Sequence, residues 1–193
     1  MDETSQKIID VTMALVRDKG YVATTTKDIA KDAQINECTI FRKFKGKKDI
    51  VLSGMKQQEW RANITPDVFK NVKWNLQEDL EMFMNNYLDR VNADFVNLSI
   101  GLRAPQIYDE TAALIMKIPE IFIQYLTTYF EKMHDKGKLA EMDFHSLAIT
   151  IFSSTFGYTF LKASFEDKLI DVKQKDYVEQ SVKMFINGIQ KNS

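Results

Sequence analysis

Cysteine, proline and glycine are all scarce in this chain. Three prolines and seven glycines among 193 residues favour long helices over a turn-rich sheet protein. The single cysteine, Cys38, excludes an intrachain disulfide and is typical of a protein of the reducing cytoplasm. We therefore expect an all-α protein with a cytoplasmic location.

Long apolar runs are also missing. The opening residues, MDETSQK, are polar and acidic and do not resemble a secretory signal. The longest stretch without a formal charge, residues 144–161, includes seven His, Ser or Thr residues. We interpret it as a buried helix and not as a membrane span.

Charge and aromatic residues divide the chain unevenly. Residues 1–48 contain ten Lys or Arg and seven Asp or Glu, a formal charge of +3, whereas residues 49–193 have a charge of −4. Nineteen aromatic residues fall in the second part and three in the first. This asymmetry predicts a small basic domain, residues 1–48, and a larger helical domain, residues 49–193.

The first part reads as short helices separated by clear stops. Apolar residues at helical spacing predict a helix over 3–19 that ends at Gly20. A second helix would begin after a cap at Thr25 or Thr26, and a third after a cap at Asn36. A fourth helix would follow Gly46 and could extend to about residue 63.

Coarser patterns predict further helices in the second part. Pro105 and Pro119 are taken as breaks between helices. The expected spans are 76–92, 94–103, 106–117, 119–135, 143–164 and 174–190.

Two short helices joined by a tight turn, with basic residues around the second, are typical of a DNA-binding helix-turn-helix. The stretch TIFRKFKGKKDI has five basic residues before its first acid. Arg42 and Lys43 complement the end of their own helix, but Lys47 and Lys48 begin a helix, where the helix dipole disfavours a cation. Their position predicts an external anion, such as a DNA phosphate.

Residues 8–52, with IIDVTMALVRDKGY and TTTKDIAKDAQINECTIFRKFKGKKDIVL, resemble the DNA-binding region of the TetR family of bacterial transcriptional regulators. The segment KGKLAEMDFHSLA is similar to a loop and helix start found late in many members. The resemblance implies a homodimer that binds double-stranded DNA at a palindromic operator and responds to a small-molecule effector. It implies DNA contacts from Thr26, Lys27, Asn36, Glu37, Cys38, Thr39, Phe41, Arg42, Lys43 and Lys47.

Two positions depart from the family pattern. Gln34 stands in the turn where the family usually has Gly, which would cost about 1 kcal/mol if the position requires a positive φ. Phe41 replaces a frequent Tyr and removes a hydroxyl that could bond to a phosphate.

The resemblance also implies a ligand pocket and a four-helix dimer interface in the second domain. Aromatic and polar candidates for the pocket are Trp60, Phe83, Asn86, Tyr87, Phe95, Gln124, Tyr125, Phe152 and Phe156. Residues on the faces opposite the apolar stripes are candidates for the interface: Ser146, Thr150, Ser153, Gly157, Tyr177, Ser181, Met184 and Gly188. An effector near Trp60 would tilt the fourth helix and move the DNA-binding head.

The residues leave other functions open. Cys38 lies among basic residues, which favour a reactive thiolate, and could sense oxidants. His134 and His145 could bind a metal or haem, but no cysteine or carboxylate cluster accompanies them, so no metal or cofactor is expected. An architectural DNA-binding protein without a ligand is a further alternative. No nucleophile–base pair, glycine-rich phosphate loop or zinc motif indicates an enzyme.

Overall fold

The computed structural model describes residues 1–57, 71–165 and 168–189. These residues form nine α-helices and no β-strand, which confirms the all-α prediction. In chain order the helices are α1 Glu3–Ala23, α2 Thr26–Asp32, α3 Glu37–Lys43, α4 Lys47–Met55, α5 Leu76–Arg90, α6 Ala93–Gly101, α7 Tyr108–Asp135, α8 Phe144–Phe165 and α9 Gln174–Ile189.

The chain forms two compact units, and neither is continuous in sequence. The first, which we call the head, comprises Met1–Asn63 and Asp94–Met116, and the second, the body, comprises Ile64–Ala93 and Lys117–Ser193. The head therefore includes α6 and the start of α7 besides α1 to α4. A division of roles at residue 48 stays a prediction, because the compact units describe packing and not function.

The core of the head is built around one face of α1. Ile8, Ile9, Met13 and Val16 are fully buried there, as their helical spacing predicts. Buried apolar residues from α2, α3, α4 and α6 and from the link between α6 and α7 complete the same cluster: Ile29, Ala30, Ile40, Ile50, Val51, Met55, Leu98, Leu102 and Ile107. Burying such side chains is the main favourable contribution to folding.

Two predicted helix boundaries were wrong. α4 ends at Met55, where the Lys56 N–H bonds to the Gly54 carbonyl, and does not extend towards residue 63. Trp60 lies outside the described residues, so the predicted coupling through Trp60 stays a prediction. Pro119 lies inside α7 instead of breaking it. A proline removes one N–H from a helix, and a 28-residue helix keeps enough other hydrogen bonds to tolerate the loss.

The body is held together by α5, which packs against both α8 and α9. Its buried polar centre is Asp79, a carboxylate that is 1% exposed. It accepts hydrogen bonds from the backbone N–H of Lys73 (2.8 Å), the backbone N–H of Asn75 (3.1 Å) and the hydroxyl of Tyr129 (2.8 Å). Burial, followed by this bond to Asp79, raises the pKa of Tyr129, so its hydroxyl remains a donor.

The uncharged stretch over 144–161 falls in α8, which confirms a helix. Only one face is buried, with Ala148, Ile151, Thr155, Tyr158 and Thr159. Ser146, Ile149, Thr150 and Ser153 are exposed, so within this chain the helix is buried on one face only. Within the described ranges, no helix is long and apolar enough to cross a membrane.

Gly101 marks the closest approach of α6 to α1. A methyl group added there would collide with the backbone carbonyl oxygen of Val16 and lie 3.3 Å from the Cα of Gly20. A methyl group at Gly54 would instead meet the side chain of Met13, at 2.8 Å from its Cγ and Sδ. The backbone cannot yield as a flexible methionine can.

We therefore expect Gly101→Ala to lower the free energy of unfolding by about 1–3 kcal/mol, the usual cost of overpacking. Gly54→Ala is the matched comparison, since the added methyl group there meets side-chain atoms of Met13 and Ile9 and no backbone, and alanine favours the helix by up to about 1 kcal/mol. Urea unfolding followed by circular dichroism measures both. An equal effect of the two substitutions would contradict the close backbone contact at Gly101.

Candidate nucleic-acid interface and ligand pocket

The turn between α2 and α3 has the geometry of a helix C-cap. Gln34 has φ 56°, so this position does adopt the left-handed conformation that favours glycine. The Ile35 N–H bonds to the Ala30 carbonyl (2.9 Å), and the Gln34 N–H bonds to the Lys31 carbonyl (3.1 Å). These two bonds form a Schellman motif, in which glycine is usual, and glutamine there costs about 1 kcal/mol. The motif fixes the angle at which the chain enters α3.

The start of α2 is held by a capping box. The Thr25 side chain accepts from the Asp28 N–H, and the Asp28 carboxylate accepts from the Thr25 N–H, both at 3.1 Å. Asp28 also pairs with Lys19 at 2.7 Å. The Lys19 bond, followed by the bonds from Thr25, lowers the pKa of Asp28 to about 2. Of the two predicted caps, Thr25 is correct.

α3 presents a polar, solvent-facing surface. Asn36 caps the helix as predicted, with its side-chain oxygen accepting from the Cys38 N–H at 2.9 Å. Asn36, Cys38, Phe41 and Arg42 are exposed, and Thr39 is half-buried. Phe41 is 58% exposed, which is unusual for a large aromatic side chain without a covering partner. The predicted DNA contacts of these residues stay predictions, with solvent access that such contacts require.

Glu37 and Thr26 are joined, which the sequence patterns did not reveal. The Thr26 hydroxyl donates to the Glu37 carboxylate at 2.6 Å, so the first turns of α2 and α3 are tied together. The eleven-residue separation has no local signature, because it depends on how the turn at Gln34 folds. Both residues remain candidates for DNA contact.

The predicted basic contacts fall into two groups. Lys27 and Arg42 are exposed and form no ion pair or hydrogen bond with other described residues through their charged groups. Lys43 pairs with Asp2 at 2.7 Å, and this bond is the largest of the interactions that hold the pKa of Asp2 below its usual range. Lys27 and Arg42 are therefore free to meet an external anion.

The two lysines at the start of α4 already have internal partners. The Lys47 ammonium donates to the carbonyls of Tyr21 (2.5 Å) and Thr24 (2.6 Å) and lies 4.1 Å from the centre of the Tyr21 ring. Lys48 forms an ion pair with Glu110. These internal partners explain the two lysines without an external anion, and a phosphate contact at Lys47 stays a prediction.

The structure brings together three of the residues predicted for a ligand pocket. The ring of Tyr87 lies 5.7 Å from Phe152, and Phe152 lies 5.9 Å from Phe156. Phe122 contacts the same group, with its centroid 5.0 Å from Tyr87. We call Tyr87, Phe122, Phe152 and Phe156 the aromatic row. Tyr87 and Phe122 are buried, whereas the two residues of α8 are half-exposed.

The other pocket candidates are dispersed. Phe83 is fully buried and packs against Tyr129 at 5.1 Å, so it belongs to the core. Phe95 belongs to the head and not to the body. The Asn86 amide donates to the Met82 carbonyl of its own helix, and Gln124 is exposed. Tyr125 is half-buried. Trp60 lies outside the described residues.

Tyr87 carries a buried polar atom without a partner. The residue is 2% exposed, and its hydroxyl makes no hydrogen bond with any residue in the described ranges. Burial raises the pKa of this hydroxyl, so it stays protonated. A buried, unsatisfied hydroxyl is costly, and such atoms in native proteins usually have a ligand or functional explanation.

Most residues of the predicted dimer face are accessible. Ser146, Thr150, Ser153, Met184 and Gly188 are exposed, and Gly157 is half-exposed. One prediction was wrong: Ser181 is 2% exposed and lies on the side of α9 that buries Val178 and Val182. Tyr177 is half-buried, its hydroxyl bonds to the Ser154 carbonyl at 2.6 Å and its ring stacks on Tyr158 at 4.3 Å, and its place in an interface stays a prediction.

The residues considered for metal binding and for thiol sensing are not clustered in the described ranges. No group of three His, Cys, Asp or Glu side chains in the described ranges could hold a metal ion. His134 packs on Phe144, and its Nδ1 lies 3.1 Å from the Leu139 carbonyl oxygen, whereas His145 is exposed. Cys38 is an exposed free thiol on the surface of α3.

Comparison with known proteins agrees with this geometry. The model of the family described as bacterial regulatory proteins, tetR family, matches residues 8–53. A Bacillus subtilis protein named an uncharacterized HTH-type transcriptional regulator, YvkB, is 29% identical over 98% of both chains. The Staphylococcus aureus regulator IcaR, named as the negative transcriptional regulator of a biofilm operon, is 26% identical over 93% of this chain and 97% of its own.

A solved structure shares the whole fold. It is described as a putative transcriptional regulator from Saccharomonospora viridis in complex with choline, with a TM-score of 0.71, 17% identity and full coverage of both chains. Members of the matched family are DNA-binding regulators and not enzymes. The helix-turn-helix of α2 and α3, the family match over residues 8–53 and the full-length similarity to named HTH-type transcriptional regulators lead to one conclusion: residues 8–53 form a DNA-binding domain of the TetR family.

Proposed function

We propose that this protein is a repressor in the bacterial cytoplasm, which binds a palindromic operator as a homodimer and is released by a small hydrophobic or amphipathic effector. The exposed polar face of α3, next to free basic side chains, carries the proposal. The negative regulation named for IcaR, 26% identical to this chain, supports repression over activation.

α3 is the proposed recognition helix. Asn36, Cys38 and Thr39 would meet base edges in the major groove, since they lie at the helix start. Phe41 would pack against the DNA backbone, because it is exposed and lacks a hydroxyl. Phosphate contacts are assigned to Lys27, Arg42, Thr26 and Lys43, the last after it releases Asp2. Glu37 would orient Thr26 or accept a bond from a cytosine amino group.

We expect the protein to prefer the DNA upstream of its own gene over a scrambled duplex of equal length by roughly 10³ or more. Binding is measured by fluorescence anisotropy at about 150 mM salt, because low salt strengthens non-specific binding. Equal, weak binding to both duplexes would contradict a specific operator there.

The aromatic row is the proposed effector site. Tyr87 would donate a hydrogen bond to the effector, because its hydroxyl is buried, protonated and without another partner among the described residues. Phe122, Phe152 and Phe156 would contact the apolar part of the ligand, and aromatic faces also attract a cationic group. The Saccharomonospora viridis protein, which has the same fold, is described in complex with choline, and this supports a small cationic or amphipathic ligand for the fold.

Two tyrosine substitutions test the effector site. We expect Tyr87→Phe to leave the free energy of unfolding unchanged or raise it, because it removes an unsatisfied buried hydroxyl. Tyr129→Phe is the matched control and should cost about 1.5–3 kcal/mol, because its hydroxyl bonds to buried Asp79.

The same variants are then compared in a thermal-shift screen with hydrophobic and cationic compounds. A compound that stabilises the wild type should stabilise Tyr87→Phe less. A loss of stability in Tyr87→Phe without ligand, as large as in Tyr129→Phe, would mean that the Tyr87 hydroxyl has a structural partner and is not the effector anchor.

The proposed homodimer forms through the exposed faces of α8 and α9. Small side chains at Ser146, Thr150 and Ser153 would allow another helix to approach closely. Ile149 and Met184 are exposed on the same two helices, at 40% and 68%, and would supply apolar contact area. Twofold symmetry would then place two recognition helices on the two halves of a palindrome.

Gly157→Leu tests this interface. A Cβ atom added at Gly157 would meet nothing within 4 Å in its own chain, so we expect the subunit to fold normally. Analytical ultracentrifugation should show a wild-type dimer and a shift of the variant towards monomer of about tenfold or more in dissociation constant, since overpacking a close helix contact costs about 1–3 kcal/mol. Gln77→Leu, at an exposed position of α5, is the control. Equal dimerisation of all three proteins would place the interface elsewhere.

A further inference from the structure

Lys47 joins the start of α4 to the end of α1. Its ammonium group donates to two backbone carbonyls, of Tyr21 and of Thr24, at 2.5 and 2.6 Å. The same group lies 4.1 Å from the centre of the Tyr21 ring, a distance at which a cation is attracted to an aromatic face. Three interactions therefore connect one lysine to a segment 23 to 26 residues earlier in the chain.

The backbone carbonyl groups at the end of α1 need hydrogen-bond donors from elsewhere in the chain. The helix is interrupted at Gly20, with φ 82° and ψ 162°, and its C-cap Thr24 has extended backbone angles. The last carbonyls of a helix have no N–H within the helix, and the last turn of α1 has no basic residue. Thr24 is fully buried, and its hydroxyl bonds to the Gly20 carbonyl at 2.9 Å. Lys47 supplies the donors for two further carbonyls, those of Tyr21 and Thr24.

These contacts leave Lys47 poorly placed to hold a phosphate. An ammonium group has three N–H bonds, and two of them are already used. Burial lowers the pKa of Lys47, with a smaller contribution from Lys19, which is the opposite of the effect of a bound anion. Lys27, exposed and without a partner in the described ranges, has all three N–H bonds available.

We propose that Lys47 is a positioning residue for DNA binding, which fixes the carbonyls of Tyr21 and Thr24 and so sets the start of α2 relative to α4, without itself neutralising a phosphate. The inference rests on the proposed DNA-binding function. Thr25, Thr26 and Lys27 directly follow the fixed segment, so the cap of α2 and two assigned phosphate contacts depend on it. A displacement of the start of α4 would move the phosphate contacts of α2 with it.

The salt dependence of binding separates positioning from phosphate contact. Each neutralised phosphate contributes about 0.9 to the slope of log affinity against log salt concentration. Because the proposed dimer carries two copies of each residue, Lys27→Met should lower the slope by about 1.8. Lys47→Met should weaken binding to the upstream duplex by about tenfold, comparable to losing one hydrogen bond to a charged group, and leave the slope unchanged. A slope lowered by about 1.8 in Lys47→Met would overturn the proposal.

Lys47→Gln provides a second variant. Its amide can donate to a carbonyl without carrying charge, so it should recover part of the affinity lost in Lys47→Met with the same salt slope. A phosphate contact predicts an equal loss in both variants. If Lys47→Met does not fold, the salt dependence of binding is measured with Lys47→Gln instead.

Hydrogen exchange of the free protein tests the same contacts without DNA. We expect faster exchange of the amides of residues 24–28 in Lys47→Met than in the wild type, and no such change in Lys27→Met. Unchanged exchange in Lys47→Met would overturn the positioning role. If the wild type failed to bind every duplex, the proposed function would fail, and the exchange experiment would still decide the role of Lys47.

Discussion

Burial of one face of α1 is the constraint on which the head depends. Ile8, Ile9, Met13 and Val16 are inaccessible to solvent, and every other helix of the head contributes to the cluster around them. The helix-turn-helix is too short to bury a core of its own, since α2 and α3 have seven residues each. Its geometry therefore comes from packing on α1 as well as from the caps at Thr25 and Asn36.

Local chemistry predicted the recognition element well. The cap at Asn36, the stop at Gly20 and the positive φ at Gln34 each depend on neighbours within about five residues, which a sequence pattern contains. The apolar spacing on α1 likewise predicted its buried face. At these positions, the conformation that the local sequence favours is also the one that the overall fold requires.

Contacts between distant residues could not be predicted in the same way. Lys47 and Lys48 break the dipole rule, and the sequence offers no sign that the Tyr21 and Thr24 carbonyls or Glu110 would satisfy them. The buried location of Ser181 and the pairing of Tyr177 with Ser154 depend on the rotation of α9 about its axis. Pro119 does not end a helix as predicted, because the surrounding helix is long enough to tolerate one missing hydrogen bond.

The discontinuity of the head limits how it can be separated from the rest of the chain. Residues 94–116 complete the packing around α1, with Leu98, Leu102 and Ile107 in its core and Gly101 against Val16. A fragment cut after α4 would expose that apolar face and lose the partner of Lys48, Glu110. Transplanting the head into another regulator would therefore require two separate segments of this sequence. Natural recombination between relatives by a single crossover would transfer only one of them and would tend to produce an incomplete core.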